Sequence, residues 1–153
     1  MGQPSVFVAC SRIEAPAERV FAFHESPGAL ERLTPPWEPV EFVQRPVNIK
    51  DGARAVLRVG PWPVRMRWEL EHRGYVAGRE FSDVQISGPF RSWMHRHLMT
   101  PNGAAACTLE DRIEYELPLG GLGKFFGDWF VRRKLKRLFE FRHRVTAEAV
   151  REP

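Results

Sequence analysis

The chain has 153 residues, 43% of them hydrophobic and 27% charged, an ordinary globular balance at a length that suits one domain over 1–153. Its net charge of +4 raises nucleic acid or anionic lipid as partners, but the 19 acidic residues are interspersed among the 23 basic ones, so the charge alone selects neither. No run approaches the roughly 20 apolar residues of a membrane span and no signal-peptide pattern opens the chain, so a cytoplasmic protein is expected. Cys10 and Cys107 stand apart with no metal or redox spacing, and both are expected to be small buried hydrophobes.

Taken in order, Val6 to Ile13 alternates like a strand. Pro16 to Phe23 reads as a short helix, with Pro16 in its first turn and Glu18 at the positive end of the dipole. A second short helix is expected after Ser26 as N-cap and Pro27 at its first position, stopping before Thr34. From residue 39 the period becomes two. Strands are expected at 39–45, 53–59, 63–73, 80–87, 91–99 and 105–117, separated by turns rich in glycine, proline and asparagine. The chain closes with a helix over about 122–150. Its apolar stripe is Val131, Leu135, Leu138, Val145 and Ala149, with Phe130 and Phe139 beside it and Arg142 interrupting. That face must be buried on the sheet.

Strand, two short helices, six strands and a long helix is an unusual order. It predicts an α+β helix-grip fold, a curved antiparallel sheet of six or seven strands wrapped around the C-terminal helix. The run from Phe23 to Leu30, Leu33 to Trp37, Phe81 to Phe90, the Trp93, His95 and His97 alternation, and Leu117 to Gly120 resemble the START/Bet v 1-like (SRPBCC) superfamily. The nearest likeness is to bacterial members described as cyclase/dehydrase or polyketide cyclase-like, a module also found fused to sugar-nucleotide-epimerase-like domains. Met99 stands where the resemblance leads one to expect Phe. The resemblance implies a cavity for a small apolar molecule, and it brings no set of catalytic residues.

Strand parity supplies the site. In the last strand Cys107, Leu109, Asp111, Ile113, Tyr115 and Leu117 share the face toward the helix, which places a carboxylate inside. An inner carboxylate needs a partner. Trp93, His95, His97 and Met99 are expected to face in from the preceding strand, and Val64, Met66, Trp68 and Leu70 from the strand at 63–73. The hairpin between 80–87 and 91–99 has two registers. A two-residue Gly88-Pro89 loop turns Asp83 and Gln85 out. A three-residue loop through Phe90, the preferred reading, sets Asp83 opposite His95 and Gln85 opposite Trp93.

In that register Asp83, His95 and Asp111 are the candidates for acid–base catalysis, with a carboxylate fixing the imidazole tautomer. Met66, Trp68, Gln85, Trp93, His97 and Tyr115 are the candidate ligand-binding residues. A hydrogen-bonded network that pins the strands or orients a ligand is preferred over catalysis. His95 and His97 near an aspartate have zinc-ligand chemistry, but the motif is too short to select a metal, and no metal or cofactor is expected. His24 is read as a helix C-terminal cap in preference to a gate beside Trp37. Residues 124–144 hold eight basic and two acidic side chains with aromatics between them, which reads as a core helix with a solvated basic face before a membrane-touching one. Nucleic acid is not expected, because the basic residues do not interleave with stacking aromatics across several strands.

The leading function is therefore binding of a lipid-like, aromatic or polyketide-like molecule. A cyclase or dehydratase using His95 with Asp83 or Asp111 is the first alternative. A carrier that delivers such cargo to membranes is the second. The sequence does not fix the ligand, the oligomeric state or whether a reaction occurs.

Overall fold

The computed structural model describes residues 3–61 and 63–151. The elements run β1 (Ser5–Ile13), α1 (Ala17–Glu25), α2 (Ala29–Arg32), β2 (Val40–Gln44), β3 (Arg54–Val59), β4 (Met66–Val76), β5 (Glu80–Ser87), β6 (Ser92–Pro101), β7 (Cys107–Glu116) and α3 (Gly121–Ala149). All seven strands form one antiparallel sheet in the order β1-β7-β6-β5-β4-β3-β2. The long crossover from β1 to the opposite edge passes through α1 and α2. The expected helix-grip architecture is present.

Parity decides burial along the central strands. In β7 Cys107, Leu109, Asp111, Ile113 and Tyr115 are all buried, and in β6 Trp93, His95, His97 and Met99 are. The intervening residues carry the charge. Helix α3 then presents Leu135, Phe139, His143 and Thr146 to this surface, spaced four, four and three residues along one line.

The core is in two parts. Ile13, Val20, Phe21, Phe81, Met99, Leu109 and Val150 pack in one cluster near α1. Trp93, Ile113, Tyr115, Leu135 and Phe139 pack in another, with Phe7, Trp68 and Phe90 against it. On β6, β7 and α3 alike, the residues between the two clusters are histidine and aspartate.

Several details differ from the sequence-based expectation. Strand β4 begins at Met66, later than 63, and runs through Gly74 to Val76 with a shift of register beyond Arg73. Val64 is 68% exposed and Met66 48% exposed, so neither faces a buried interior. Pro61 and Pro63 supply no amide hydrogen to a ladder, and Met66 lies at the end of the β3–β4 pairing, opposite Val59. Ser26 does not cap α2. Its hydroxyl donates to Phe23 O at 2.5 Å and so closes α1, while Gly28 at φ 79° leads into α2. Phe130 is 57% exposed, where it was expected beside the buried stripe. Cys107 is buried as expected, but Cys10 is exposed on edge strand β1.

Candidate functional site

The two-residue and three-residue loop registers are separated by the β5–β6 ladder, which pairs Asp83 with His95 and Phe81 with His97. Next door, His97 pairs with Asp111 across β6 and β7. These registers bring two carboxylates and two imidazoles to the same height on the inner face.

His72 of β4 and His143 of α3 complete a layer. The Nε2–H of His95 donates to Asp111 Oδ1 at 2.7 Å. The other Asp111 oxygen, Oδ2, accepts from His143 Nε2 at 2.7 Å, and His143 Nδ1 accepts from the Ser11 hydroxyl at 2.7 Å. His97 Nε2 donates to Asp83 Oδ2 at 3.0 Å. His97 Nδ1 lies 2.8 Å from Asp111 Oδ1, and His72 Nδ1 lies 2.8 Å from Asp83 Oδ1. Those last two contacts are close but poorly aligned, and both nitrogens lack a hydrogen-bond partner of good geometry. His95 Nδ1 stands 3.7 Å from Asp83 Oδ2, beyond a direct hydrogen bond. The expected link from His95 to a carboxylate is thus made to Asp111.

Burial and mutual contact set the charges. Burial pushes the Asp111 carboxyl up, but the His97 charge and hydrogen bonds from His143, His95 and His97 hold it well below the usual carboxylate range. Asp83 behaves the same way beside His72 and His97. Burial lowers His97, yet the two aspartates outweigh it and raise the imidazole to about 9. His95 is lowered to about 4 by burial and by neighbouring His97. The rings of His95 and His97 are 3.8 Å apart, so one cation in the pair disfavours a second. His24 is likewise lowered to about 4, by burial and by His97. Its Nδ1–H donates back to Val20 O at 2.9 Å within α1, and its ring faces Phe81 and His97 in place of Trp37. It is not a gate at Trp37; it sits in the last turn of α1 with its ring bonded to a carbonyl of that helix, and burial disfavours its charge. All five histidines of the chain therefore lie in or against this layer.

The other candidate residues have structural partners. Trp68, Phe90, Trp93 and Tyr115 pack ring against ring, with Trp68 and Trp93 centroids 4.9 Å apart and Phe90 and Trp93 4.7 Å apart. Gly88 permits this, because a Cβ there would meet Trp68 Cδ1 at 2.4 Å. The β5–β6 ladder ends at Val84 and Met94. Gln85 beyond it grips the loop instead, donating from Nε2 to Phe90 O at 2.8 Å. Tyr115 donates its hydroxyl to Asp128 Oδ1 at 2.6 Å, which ties β7 to α3.

A cleft of about 600 Å³ lies elsewhere, between edge strand β1 and α3. Phe7, Ala9, Ile13 and Phe139 give it apolar walls, and Ser11 and His143 border it. None of the ligand-binding candidates lines it. His143 was not singled out in the sequence, although it follows Leu135 and Phe139 at four-residue intervals. His72 continues the inward parity of Trp68 and Leu70.

A seven-stranded antiparallel sheet gripping a long C-terminal helix is the START/Bet v 1-like helix-grip fold. Residues 13–139 match the family model described as "Polyketide cyclase / dehydrase and lipid transport", and the chain belongs to that family. No curated protein matches it. Among solved structures, it resembles part of a nucleoside-diphosphate sugar epimerase from Corynebacterium glutamicum at 21% identity and TM-score 0.74, covering 95% of this chain and 29% of that one. It resembles a START superfamily protein from Mycobacterium smegmatis at 13% identity and TM-score 0.67, covering 99% of both chains. Norcoclaurine synthase from Thalictrum flavum, solved with dopamine and hydroxybenzaldehyde, aligns at 14% identity and TM-score 0.69 over 98% of this chain and 88% of that one. At these identities the likeness is one of fold.

Proposed function

We propose that the protein binds a small, largely apolar molecule in the cleft between β1 and α3, with a polar end directed at Ser11 and His143. The single observation that carries this reading is the placement of His143. It borders a cleft of about 600 Å³ and is hydrogen-bonded to the inner layer through Asp111. That volume suits a small organic ligand, and apolar walls with a few fixed polar groups supply affinity and orientation respectively. Family membership and the ligand-bearing neighbour support it. Native mass spectrometry of protein purified from its own host tests the reading. A co-purifying small molecule is expected, and Ala147→Trp, which fills the cleft from the helix side, should remove it. Retention of the same molecule by Ala147→Trp would place it elsewhere. A cyclase or dehydratase would use the same groups, and His143→Ala separates the roles. Loss of turnover with affinity kept marks a catalytic base, whereas loss of affinity marks an orienting group.

A second reading, delivery of cargo at an anionic lipid surface, rests on the first half of α3. Leu122, Phe125, Phe126, Trp129 and Phe130 are all exposed there. Arg133, Lys134, Lys136 and Arg137 follow on the next turns. Exposed aromatics next to a basic cluster match an interface of apolar chains and anionic headgroups. Co-sedimentation should require phosphatidylserine in the vesicles, weaken as salt rises, and fall with Phe125→Ser and Trp129→Ser together. Equal binding to purely phosphatidylcholine vesicles, or none, would remove this reading.

A further inference from the structure

Two imidazoles, their rings 3.8 Å apart and tilted by 40°, and a carboxylate meet in the buried layer in a way that hydrogen bonding alone does not satisfy. His72, His95, His97 and Asp111 are each at least nine-tenths buried. Even so, both ring nitrogens of His72 and Nδ1 of His97 have no hydrogen-bond partner. Buried polar nitrogens are normally paired, and two of these, His72 Nδ1 and His97 Nδ1, lie 2.8 Å from carboxylate oxygens in poor alignment. Hydrogen bonds alone therefore do not close the layer, although none of the three is a ligand atom of the site that converges beside them.

The donor atoms converge. One ligand atom each from Asp83, His95 and His97 lies within 4.8 Å of the others. Asp83 Oδ2 is 3.0 Å from His97 Nε2 and 3.7 Å from His95 Nδ1. A tetrahedral ion with bonds of about 2.0–2.1 Å has ligand-to-ligand edges of about 3.3 Å, which those two separations bracket. The far nitrogens of the same two rings both face Asp111 Oδ1, His95 Nε2 at 2.7 Å and His97 Nδ1 at 2.8 Å. A carboxylate behind a histidine is the arrangement that fixes the tautomer and aim of a metal-ligating imidazole. Asp111 is itself held on its other oxygen by His143, and Asp83 has His72 beside its other oxygen.

We propose that Asp83 Oδ2, His95 Nδ1 and His97 Nε2 form a site for one divalent first-row transition ion, with Asp111 orienting both imidazoles from behind. Two imidazoles and one carboxylate favour zinc, iron or cobalt over magnesium or calcium, which take mainly oxygen donors. Three protein ligands leave one coordination position open. The site is separate from the cleft and joined to it through Asp111 and His143, so it stands or falls independently of the ligand reading.

The test uses untagged full-length protein, dialysed against chelator and then titrated with Co²⁺ and, separately, with Zn²⁺. One equivalent should bind. The cobalt form should show the visible absorption of a four- or five-coordinate ion, and Zn²⁺ should displace it. Asp83→Asn keeps the size and shape of the side chain and should weaken binding by at least about tenfold, the scale seen for lesser perturbations behind a ligand. Glu114→Gln, a carboxylate on the outer face of β7 paired with Arg112, should bind metal as the parent does. Parent protein that takes up no stoichiometric metal by elemental analysis would overturn the proposal, even if every variant failed to fold. So would Asp83→Asn protein that is folded by circular dichroism and binds Co²⁺ as tightly as the parent.

Discussion

Residues 122–130 and 135–146 lie on one helix and both carry large apolar and aromatic side chains, yet they meet opposite environments. In the second half Leu135, Phe139, His143 and Thr146 are buried against the sheet. In the first half the inward line is held by polar contacts, Asp128 to the Tyr115 hydroxyl and Arg132 to Val6 O at 2.9 Å. Its aromatics stay in solvent, Trp129 at 61% exposure. Phe130 shows why. It stands nine residues before Phe139, and on a helix of 3.6 residues per turn that places it on the opposite side. Apolar content thus does not decide which half is core. Phase relative to the sheet does.

The contrast is sharpest in stability. Asp111→Ala leaves His95, His97 and His143 without their shared acceptor in the buried layer and should lower unfolding free energy by about 3–5 kcal/mol in denaturant titration. Phe139→Ala opens a cavity in the second core cluster, for a loss of about 3–5 kcal/mol. Trp129→Ala should stay within about 0.5 kcal/mol of the parent, as an exposed side chain does. A Trp129→Ala loss comparable with that of Phe139→Ala would break the distinction between the two halves.

A smaller effect is expected from pH, measured with chelator present. The groups facing one another are His24, His72, His95, His97, His143, Asp83, Asp111 and Arg142. His24 and His95 titrate near 4 when folded and near 6.5 when not. Their contribution is present above 6.5 and is lost as pH falls toward 4. His97 titrates near 9 when folded, so its contribution is present below 6.5 and is lost as pH rises through 9. Stability should therefore peak close to pH 6.5 and decline on both sides. A monotonic rise from pH 5 to 9 would mean that His97 is held neutral like His24 and His95, and a flat profile would mean that the layer is solvated.

Much of this was legible in the sequence. Alternation in 91–99 and 105–117 correctly placed His95, His97 and Asp111 on the inner face, because a buried sheet face enforces period two. The preferred hairpin register correctly set Asp83 opposite His95, although the ladder stops at Val84 and Met94, short of the expected pair of Gln85 with Trp93. What was not legible came from other sources. Met66 keeps the right parity but sits at the exposed end of its ladder, where parity no longer implies burial. His72 and His143 have inward positions, but nothing local marks them as joined to Asp83 and Asp111. Their meeting depends on how α3 crosses the sheet. The roles proposed at sequence level for Trp68, Gln85, Trp93 and Tyr115 contrast with the packing and hydrogen bonds that these side chains make to one another, to the Phe90 loop and to α3.

The central claim, ligand binding between β1 and α3, is tested most directly by chemical-shift mapping. The probe is anilinonaphthalene sulfonate, whose apolar rings suit the walls and whose anionic group suits the rim residues Arg12, Lys136 and Arg144. Saturable shifts should fall on residues 7–13 and 136–147, and Ala147→Trp should abolish them. Shifts confined to Met66, Trp68, Trp93 and Tyr115, unchanged by Ala147→Trp, would contradict the account.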